Sequence, residues 1–271
     1  MKTESLKISI VTPCFNSKDY LEKCILSVLG QTYAYIEYIV VDGGSSDGTV
    51  DILKRYADRI KYISEKDRGN YDAIRKGFEM ASGDVLTWID SDNYYYSNDV
   101  IEKIASRFND ESPDIVVTDC FSHHQGSERL RPVRPSLSQL NFNSLLRSGS
   151  IFMPECAFYT KESYIKAGKI GSEPKVIFDY ELFLNIFKQN PKVSKLNIFS
   201  AVYEVRANAI LRKQFFKAWR ETFDIGRIYN RPLSARVKIR MLYAKAIIRF
   251  YIVSIIKKDS RLSQWMIKTF K

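Results

Sequence analysis

The chain has 271 residues, 42 Lys and Arg against 31 Asp and Glu, and 45% hydrophobic residues. That composition excludes a disordered or repeat-array protein, and no apolar run reaches the ~18 residues of a conventional membrane span. The whole excess of +11 sits at one end: residues 206–271 hold 17 Lys/Arg and 3 Asp/Glu, a net +14, leaving residues 1–205 at −3.

Met1 to Lys7 is short and polar and lacks the apolar core of a secretory signal, which predicts a cytoplasmic location. Lys7 to Thr12 (KISIVT) predicts the first strand. Ser17 predicts the cap of a helix in which Tyr20, Leu21, Cys24, Ile25, Val28 and Leu29 recur at helical spacing, ending near Gly30. Ile36 to Val41 (IEYIVV) reads as a second strand, and Asp47 or Thr49 opens a second helix. Ile60 to Ile63 is a short strand, Asn70 to Ala81 a helix, Val85 to Ile89 a strand, Asn98 to Phe108 a helix and Ile115 to Val117 a strand. Strands alternating with helices imply βαβ units and a mainly parallel sheet, and IEYIVV has the continuous apolar character of a strand buried on both faces.

Residues 120–150 break the rhythm with Gly126, Pro132, Pro135 and Gly149, predicting a long excursion with a short helix around Leu140 to Leu146. Ala157 to Tyr159 predicts a strand, Phe178 to Lys188 an amphipathic helix ended by Pro191, and Val193 to Tyr203 a strand. From Ala209 onward the chain reads as basic, amphipathic helix. Cys14, Cys24, Cys120 and Cys156 form no CxxC pair and are expected to be reduced and buried. His123 and His124 have no ligand-like neighbours in sequence and are expected in a loop.

The polar signatures fall at the strand ends. These are Thr12-Pro13-Cys14-Phe15-Asn16, then Asp42-Gly43-Gly44-Ser45-Ser46-Asp47, then Glu65 to Asp72, then Asp90-Ser91-Asp92. In a parallel sheet these ends share one edge, where ligands bind. An acid after the second strand can accept a hydrogen bond from a ribose hydroxyl or a base N–H. Asp90 and Asp92 stand one residue apart where like charges repel unless a cation lies between them, and Mg²⁺ or Mn²⁺ takes such oxygens together with phosphates. The same residues also form solvated turns, so the pair alone leaves both readings open. A dinucleotide site would need G-x-G-x-x-G after the first strand, and a phosphate loop G-x-x-x-x-G-K-[ST]. The chain has neither.

Taken together, SIVTPCFNSKDYLEKCILSVLGQTY, EYIVVDGGSSDGTVDIL, SEKDRGNYDAIRKGFEMASGD and the Asp-x-Asp resemble a family 2 glycosyltransferase of the GT-A fold, in the branch that builds bacterial surface polysaccharides. The resemblance runs from about Lys7 to Lys188. It implies an α/β GT-A domain, residues 1–208, with a mainly parallel nucleotide-binding sheet flanked by helices, followed by a basic helical tail, residues 209–271. It implies that Asp42 holds the nucleotide base and that Thr12, Pro13, Phe15 and Asn16 line the same pocket with Asp72. It implies that Asp92 ligates the divalent ion, with Asp90 at the ribose or metal. FDYELFL at 178–184 matches the segment in which such enzymes carry their base, which makes Asp179 that base and Glu181 its neighbour on the helix. By itself Asp179 reads rather as a helix N-terminal acid favoured by the macrodipole, and the other motifs reverse that preference.

The function so implied is inverting transfer of one sugar from a nucleotide sugar, expected to be UDP-linked, to a hydroxyl of a saccharide or lipid-linked acceptor. Asp179 would deprotonate that hydroxyl. The chain departs from the pattern in three places. Arg75 replaces the usual Asn, the metal motif reads Asp90-Ser91-Asp92-Asn93, and Tyr203 to Asn208 replaces the segment that closes over the diphosphate, with Arg206 as the substitute cation. Lys217-Ala218-Trp219-Arg220 lacks the Gln spacing of processive synthases, which favours single-sugar transfer. The altered segment at Arg206 also leaves a second reading, a catalytically silent membrane-associated partner of a polysaccharide assembly complex.

Met241 to Lys258 is long and apolar but interrupted by Lys245 and Arg249, a pattern that fits a helix lying in a membrane interface. Each cation near anionic headgroups contributes ~1 kcal/mol, so the tail predicts a peripheral place on the inner face of the cell membrane. A helical pair packed on the core would use the same residues. Nucleic acid would use the same charges, but no nucleic-acid motif accompanies them and none is expected as a partner.

Overall fold

The computed structural model describes residues 5–206 and 214–258. The first half alternates as its periods predict. β1 (Ile8–Cys14), α1 (Leu21–Leu29), β2 (Ile36–Asp42), α2 (Thr49–Arg55), β3 (Lys61–Ser64), α3 (Asn70–Met80) and β4 (Val85–Trp88) follow one another. The four strands lie in the order β3-β2-β1-β4 and all are parallel. Every residue of β1 is buried, as continuous apolar strands covered on both faces should be. α3 seats so closely on β1 that a Cβ on Gly77 would stand 2.4 Å from Cγ1 of Val11. Only glycine allows that approach.

The second half comprises β5 (Tyr94–Tyr95), α4 (Val100–Glu111), β6 (Ile115–His124), β7 (Leu130–Val133), α5 (Phe142–Ser148), β8 (Ala157–Thr160), α6 (Lys161–Lys166), α7 (Phe178–Lys188) and β9 (Val193–Val205). The sheet continues β4-β8-β6-β9-β5, with β7 on β6. β8 is antiparallel to both β4 and β6, and β9 is parallel to β6. Among the described residues six of the nine strands therefore point one way, and β5, β7 and β8 point the other. This is the α/β, mainly parallel sheet flanked by helices that the alternation of strands and helices predicts.

The differences are local. Ser17 does not cap α1. Its carbonyl accepts from Tyr20 N at 3.0 Å and Leu21 N at 2.9 Å in a turn, and the helix starts at Leu21. The excursion at 120–150 holds a hairpin that the sequence hid: β6 runs on to His124, turns at Gly126 and returns as β7. Its residues are polar because this part of the sheet is not covered on both faces, so no apolar run announces it. His123 is therefore in a strand rather than a loop, opposite Glu204 of β9. The short helix is α5, N-capped by Asn141, whose Oδ1 accepts from Ser144 N at 2.9 Å. All four cysteines are free and buried, as expected.

An aromatic cluster joins α7 to β4. The Phe183 ring stacks on Trp88 at 5.8 Å between centroids and 8° between planes, and Phe178 lies 6.0 Å from the same indole. Aromatic pairs bring ~1 kcal/mol beyond their area burial, and Trp88 is the last residue of β4. The start of α7 is thereby fixed over the end of that strand.

Two helices, Phe215–Ile228 and Leu233–Lys258, follow. The described residues divide into two compact units between Glu221 and Thr222. The expected boundary at 208 and 209 lies outside the described residues, as do Ala209 to Lys213 of the expected helical tail. Within the second unit Arg231 is buried and donates to Thr222 O at 3.0 Å, bracing the turn between the helices. Among the described residues no helix is long and apolar enough to cross a membrane.

Candidate active site

Ile89 is the last buried residue at the end of β4, its N–H donating to Val11 O at 2.9 Å. The chain then leaves the sheet through Asp90, Ser91, Asp92 and Asn93. Four segments of the chain hold this turn. Asn70, at the start of α3, donates from Nδ2 to Asp90 Oδ1 at 3.3 Å. The Ser91 and Ser17 hydroxyls share a 2.9 Å bond across from the end of β1. Asn93 is buried, donating to the Glu155 carboxyl and accepting from Glu204 N at 2.9 Å.

The electrostatics of this turn are those of a site short of positive charge. Burial, then Asp92, then Asp179 push the Asp90 carboxyl up to about 7, against the pull of the Asn70 amide. Burial raises Asp92 as well, opposed by Arg206 and reinforced by Glu204. Burial and the nearby Asp90 raise Glu155 well above the usual carboxylate range, and its Oε2 is buried without a partner. Arg206 is the cation at hand. Its Nε lies 3.3 Å from Asp92 Oδ2, and its guanidinium sits 3.1 Å from the Tyr20 ring centroid.

The all-oxygen donor set of Asp90 and Asp92 fits a hard divalent ion such as Mg²⁺ or Mn²⁺. Among the described residues no three His, Cys, Asp or Glu stand close enough to hold an ion on their own. One or two carboxylates, completed by substrate phosphates and water, is the usual way a protein holds Mg²⁺.

The raised carboxyl of Asp90 has a consequence for stability. Its folded value lies above the unfolded one, so between about pH 4 and 7 the folded chain keeps a proton that the unfolded chain has lost. Stability therefore falls as pH rises through that window. Asp90→Asn removes the penalty and keeps an oxygen for Asn70. We expect a gain of about 1–2 kcal/mol at pH 8, or roughly 2–6 °C in Tm, and none at pH 4. Thermal melts at the two pH values check this, and a lower Tm at pH 8 would contradict the burial of that charge.

Asp179, in the first turn of α7, is the third member. Burial pushes its carboxyl up to about 6, against the N–H groups of Tyr180 and of Asp179 itself, while Glu221 adds to the rise. A helix N-terminus favours a carboxylate, so burial wins the competition at this residue.

The other predicted residues are placed differently. Asp42 is 0% exposed and accepts from Gly44 N at 3.2 Å, Ser45 N at 3.0 Å, Ser64 Oγ at 2.7 Å and the Ser45 hydroxyl. It shapes the loop after β2 from beneath. Asp72 is buried against Arg68 at 3.1 Å and Arg75 at 2.8 Å. Burial alone would raise it, and the two guanidinium groups instead hold it far below the usual range. The Thr12 hydroxyl turns inward to Tyr38 Oη at 3.0 Å, and Pro13 is buried beside Val41. Phe15 is 62% exposed, and Asn16, at φ 48°, accepts from Ser46 N at 3.0 Å. The structure thus brings Asp90, Asp92 and Asp179 together and leaves Phe15 and Asn16 exposed. Thr12, Pro13, Asp42 and Asp72 are buried.

Sequence reasoning missed Glu155, Asn93, Glu204 and Glu221. Glu155 carried one signal, an acid in Met153-Pro154-Glu155-Cys156 directly before an apolar strand, where a carboxyl has no surface reason to be. Beside Asp92 opens a cleft of about 240 Å³ whose lining includes Tyr20, Lys23, His123, Glu204 and Arg206. His123 Nδ1 donates to Glu204 Oε2 at 2.9 Å and Nε2 to Ser127 O at 2.6 Å. Both partners are acceptors, so these contacts favour the protonated ring, and the Ser127 carbonyl and the Glu204 carboxylate raise the imidazole.

The family model described as Glycosyl transferase family 2 matches residues 9–168. An uncharacterized glycosyltransferase of Rickettsia prowazekii (strain Madrid E) is 29% identical over 192 residues, 67% of this chain and 58% of that protein, so the match spans less than two thirds of its length. The crystal structure of Staphylococcus aureus TarS 1-349 with UDP-GlcNAc superposes with a TM-score of 0.65 at 16% identity, covering 80% of this chain and 65% of that one. The Pyrobaculum calidifontis mannosyltransferase PcManGT, in complex with GDP-Man and Mn²⁺, gives 0.61 at 17% identity, with 82% and 65% covered. At these identities the two structures show a shared fold.

Proposed function

The chain belongs to glycosyl transferase family 2, and from that premise we propose an inverting, divalent-ion-dependent transfer of one sugar from a UDP-sugar to a hydroxyl of a saccharide or lipid-linked acceptor in surface polysaccharide synthesis. The observation that carries the reading is the convergence of Asp179 with Asp90 and Asp92 at the carboxyl ends of the parallel strands, with Asp179 held near the proton affinity a general base needs at neutral pH. Mg²⁺ or Mn²⁺ bound there would neutralise charge on the diphosphate leaving group. Asp92 and Asp90 would hold it. Asp179 takes the proton from the acceptor hydroxyl as its oxygen attacks the anomeric carbon. Attack from the face opposite the diphosphate inverts the centre in one displacement.

The exposed ring of Phe15 offers a stacking face to the base. Arg206, in the cleft beside Asp92, offers a fork of donors to the diphosphate. The retained acids weigh against the catalytically silent alternative. Titration of UDP with and without Mn²⁺ tests the reading: binding is expected with the ion and lost on chelation. Absence of heat with UDP under both conditions would overturn it.

For location we propose that the basic tail holds the enzyme on the anionic inner face of the cell membrane. The support is the charge division in the sequence, +14 in residues 206–271 against −3 elsewhere, and the exposure of Leu233, Val237, Met241 and Leu242 on the helix Leu233–Lys258. The chain is expected to sediment with phosphatidylserine vesicles at low salt and to be partly released at 1 M, where the Debye length is ~3 Å. It should fail to sediment when truncated after Asn208. Indifference of the full chain to anionic vesicles at low salt would overturn the placement.

A further inference from the structure

Glu221 is read from the sequence as part of the basic tail, yet it falls within the first compact unit, on the helix Phe215–Ile228. Its Oε2 accepts from Val176 N at 2.8 Å and from Ile177 N at 3.1 Å. Ile177 is the N-cap of α7 and brings no side-chain acceptor of its own. Residues 171–177 ahead of it form no helix or strand. One carboxylate oxygen, supplied from 44 residues further along the chain, therefore fixes the backbone immediately before the turn that carries Asp179.

We propose that Glu221 is the positioning residue of Asp179, setting the direction of the first turn of α7, and hence of the base, through its two main-chain hydrogen bonds. The inference rests on the reading of Asp179 as the base. Two further contacts leave this function to Glu221. Lys175 pairs with Glu181 at 2.5 Å across the same turn, tying the side of the helix. Phe178 lies on Trp88, fixing depth. Neither one restrains the N–H groups of Val176 and Ile177.

Two substitutions test this clamp, with UDP release from UDP-GlcNAc as the probe and water as acceptor. Glu221→Gln keeps a side-chain oxygen for both N–H groups and removes the charge. Its kcat at pH 8 should stay within about twofold of the parent, the rescue expected of a side chain that keeps both main-chain hydrogen bonds. Glu221→Ala loses the clamp. Its kcat should fall at least tenfold at every pH, with KM for UDP-GlcNAc and UDP stoichiometry unchanged.

A merely architectural role would lower UDP stoichiometry and kcat together. That result, a normal kcat in Glu221→Ala, or equal damage by Ala and Gln at pH 8 would overturn the proposal. Full activity in Asp179→Asn would instead remove the reading of the base itself. An inactive Asp179→Asn beside a normal Glu221→Ala sinks this inference alone.

Discussion

Asp179→Asn is expected to lower UDP release from UDP-GlcNAc by about 10²–10⁴-fold, the span typical of a lost general base, while UDP affinity in Mn²⁺ stays within about twofold. The amide has the shape of the carboxyl and keeps an oxygen for the N–H of Tyr180, so the helix start survives and only the proton acceptor is lost. The pH profile supplies the sign. The base must be ionised to accept a proton, and burial holds Asp179 at about 6. The rate should therefore climb about tenfold per unit below pH 6 and level off above it. The variant's residual rate should lack that limb. Undiminished turnover in Asp179→Asn, or a parent rate flat from pH 5 to 8, would place the base elsewhere.

Much of this site was legible in the sequence because its signals are local. A strand buried on both faces writes itself as an apolar run, so β1, β2 and β4 and the polar residues at their ends could be placed from sequence. Asp90 and Asp92 stand out by adjacency, and Asp179 through the resemblance of FDYELFL at 178–184 to the segment in which such enzymes carry their base. What could not be read is set by distance along the chain. The Asn93 amide meets Glu155 62 residues away, and no propensity or period encodes that pairing. The same holds for Glu221, whose partners lie in a loop on the far side of two elements.

The exposure of a predicted ligand is equally hidden. Asp42 and Asp72 occupy expected positions at the strand edge. Yet whether a carboxylate faces solvent or is consumed by Ser64 or Arg75 depends on neighbours supplied by other elements. The β6–β7 hairpin escaped for another reason. A strand pair open on one side can be built from Ser, His and Arg, and its register is carried by β9 rather than by its own pattern.

The second large effect concerns Asp92. Asp92→Ala is expected to weaken UDP binding in Mn²⁺ by about 100-fold, close to 2.7 kcal/mol, and to make what remains insensitive to chelation. The reason lies in the charge inventory of the turn. Asp92 is the more exposed of the paired acids, at 32% of its side chain, and among the described residues it pairs with Arg206 at 3.3 Å. Removing it takes away the carboxylate best placed to share an ion with a diphosphate, and it frees the guanidinium. In the variant Arg206 is left as a lone cation able to pair with phosphate directly, which is why binding should fall to an ion-independent remainder rather than to zero. Asp92→Asn should fall between the two, since an amide oxygen still ligates weakly. Calorimetric titration of UDP with Mn²⁺ and with EDTA distinguishes the cases. If Asp92→Ala keeps chelation-sensitive binding at the parent's affinity, the ion is held by other groups and the Asp90-Ser91-Asp92 turn is structural.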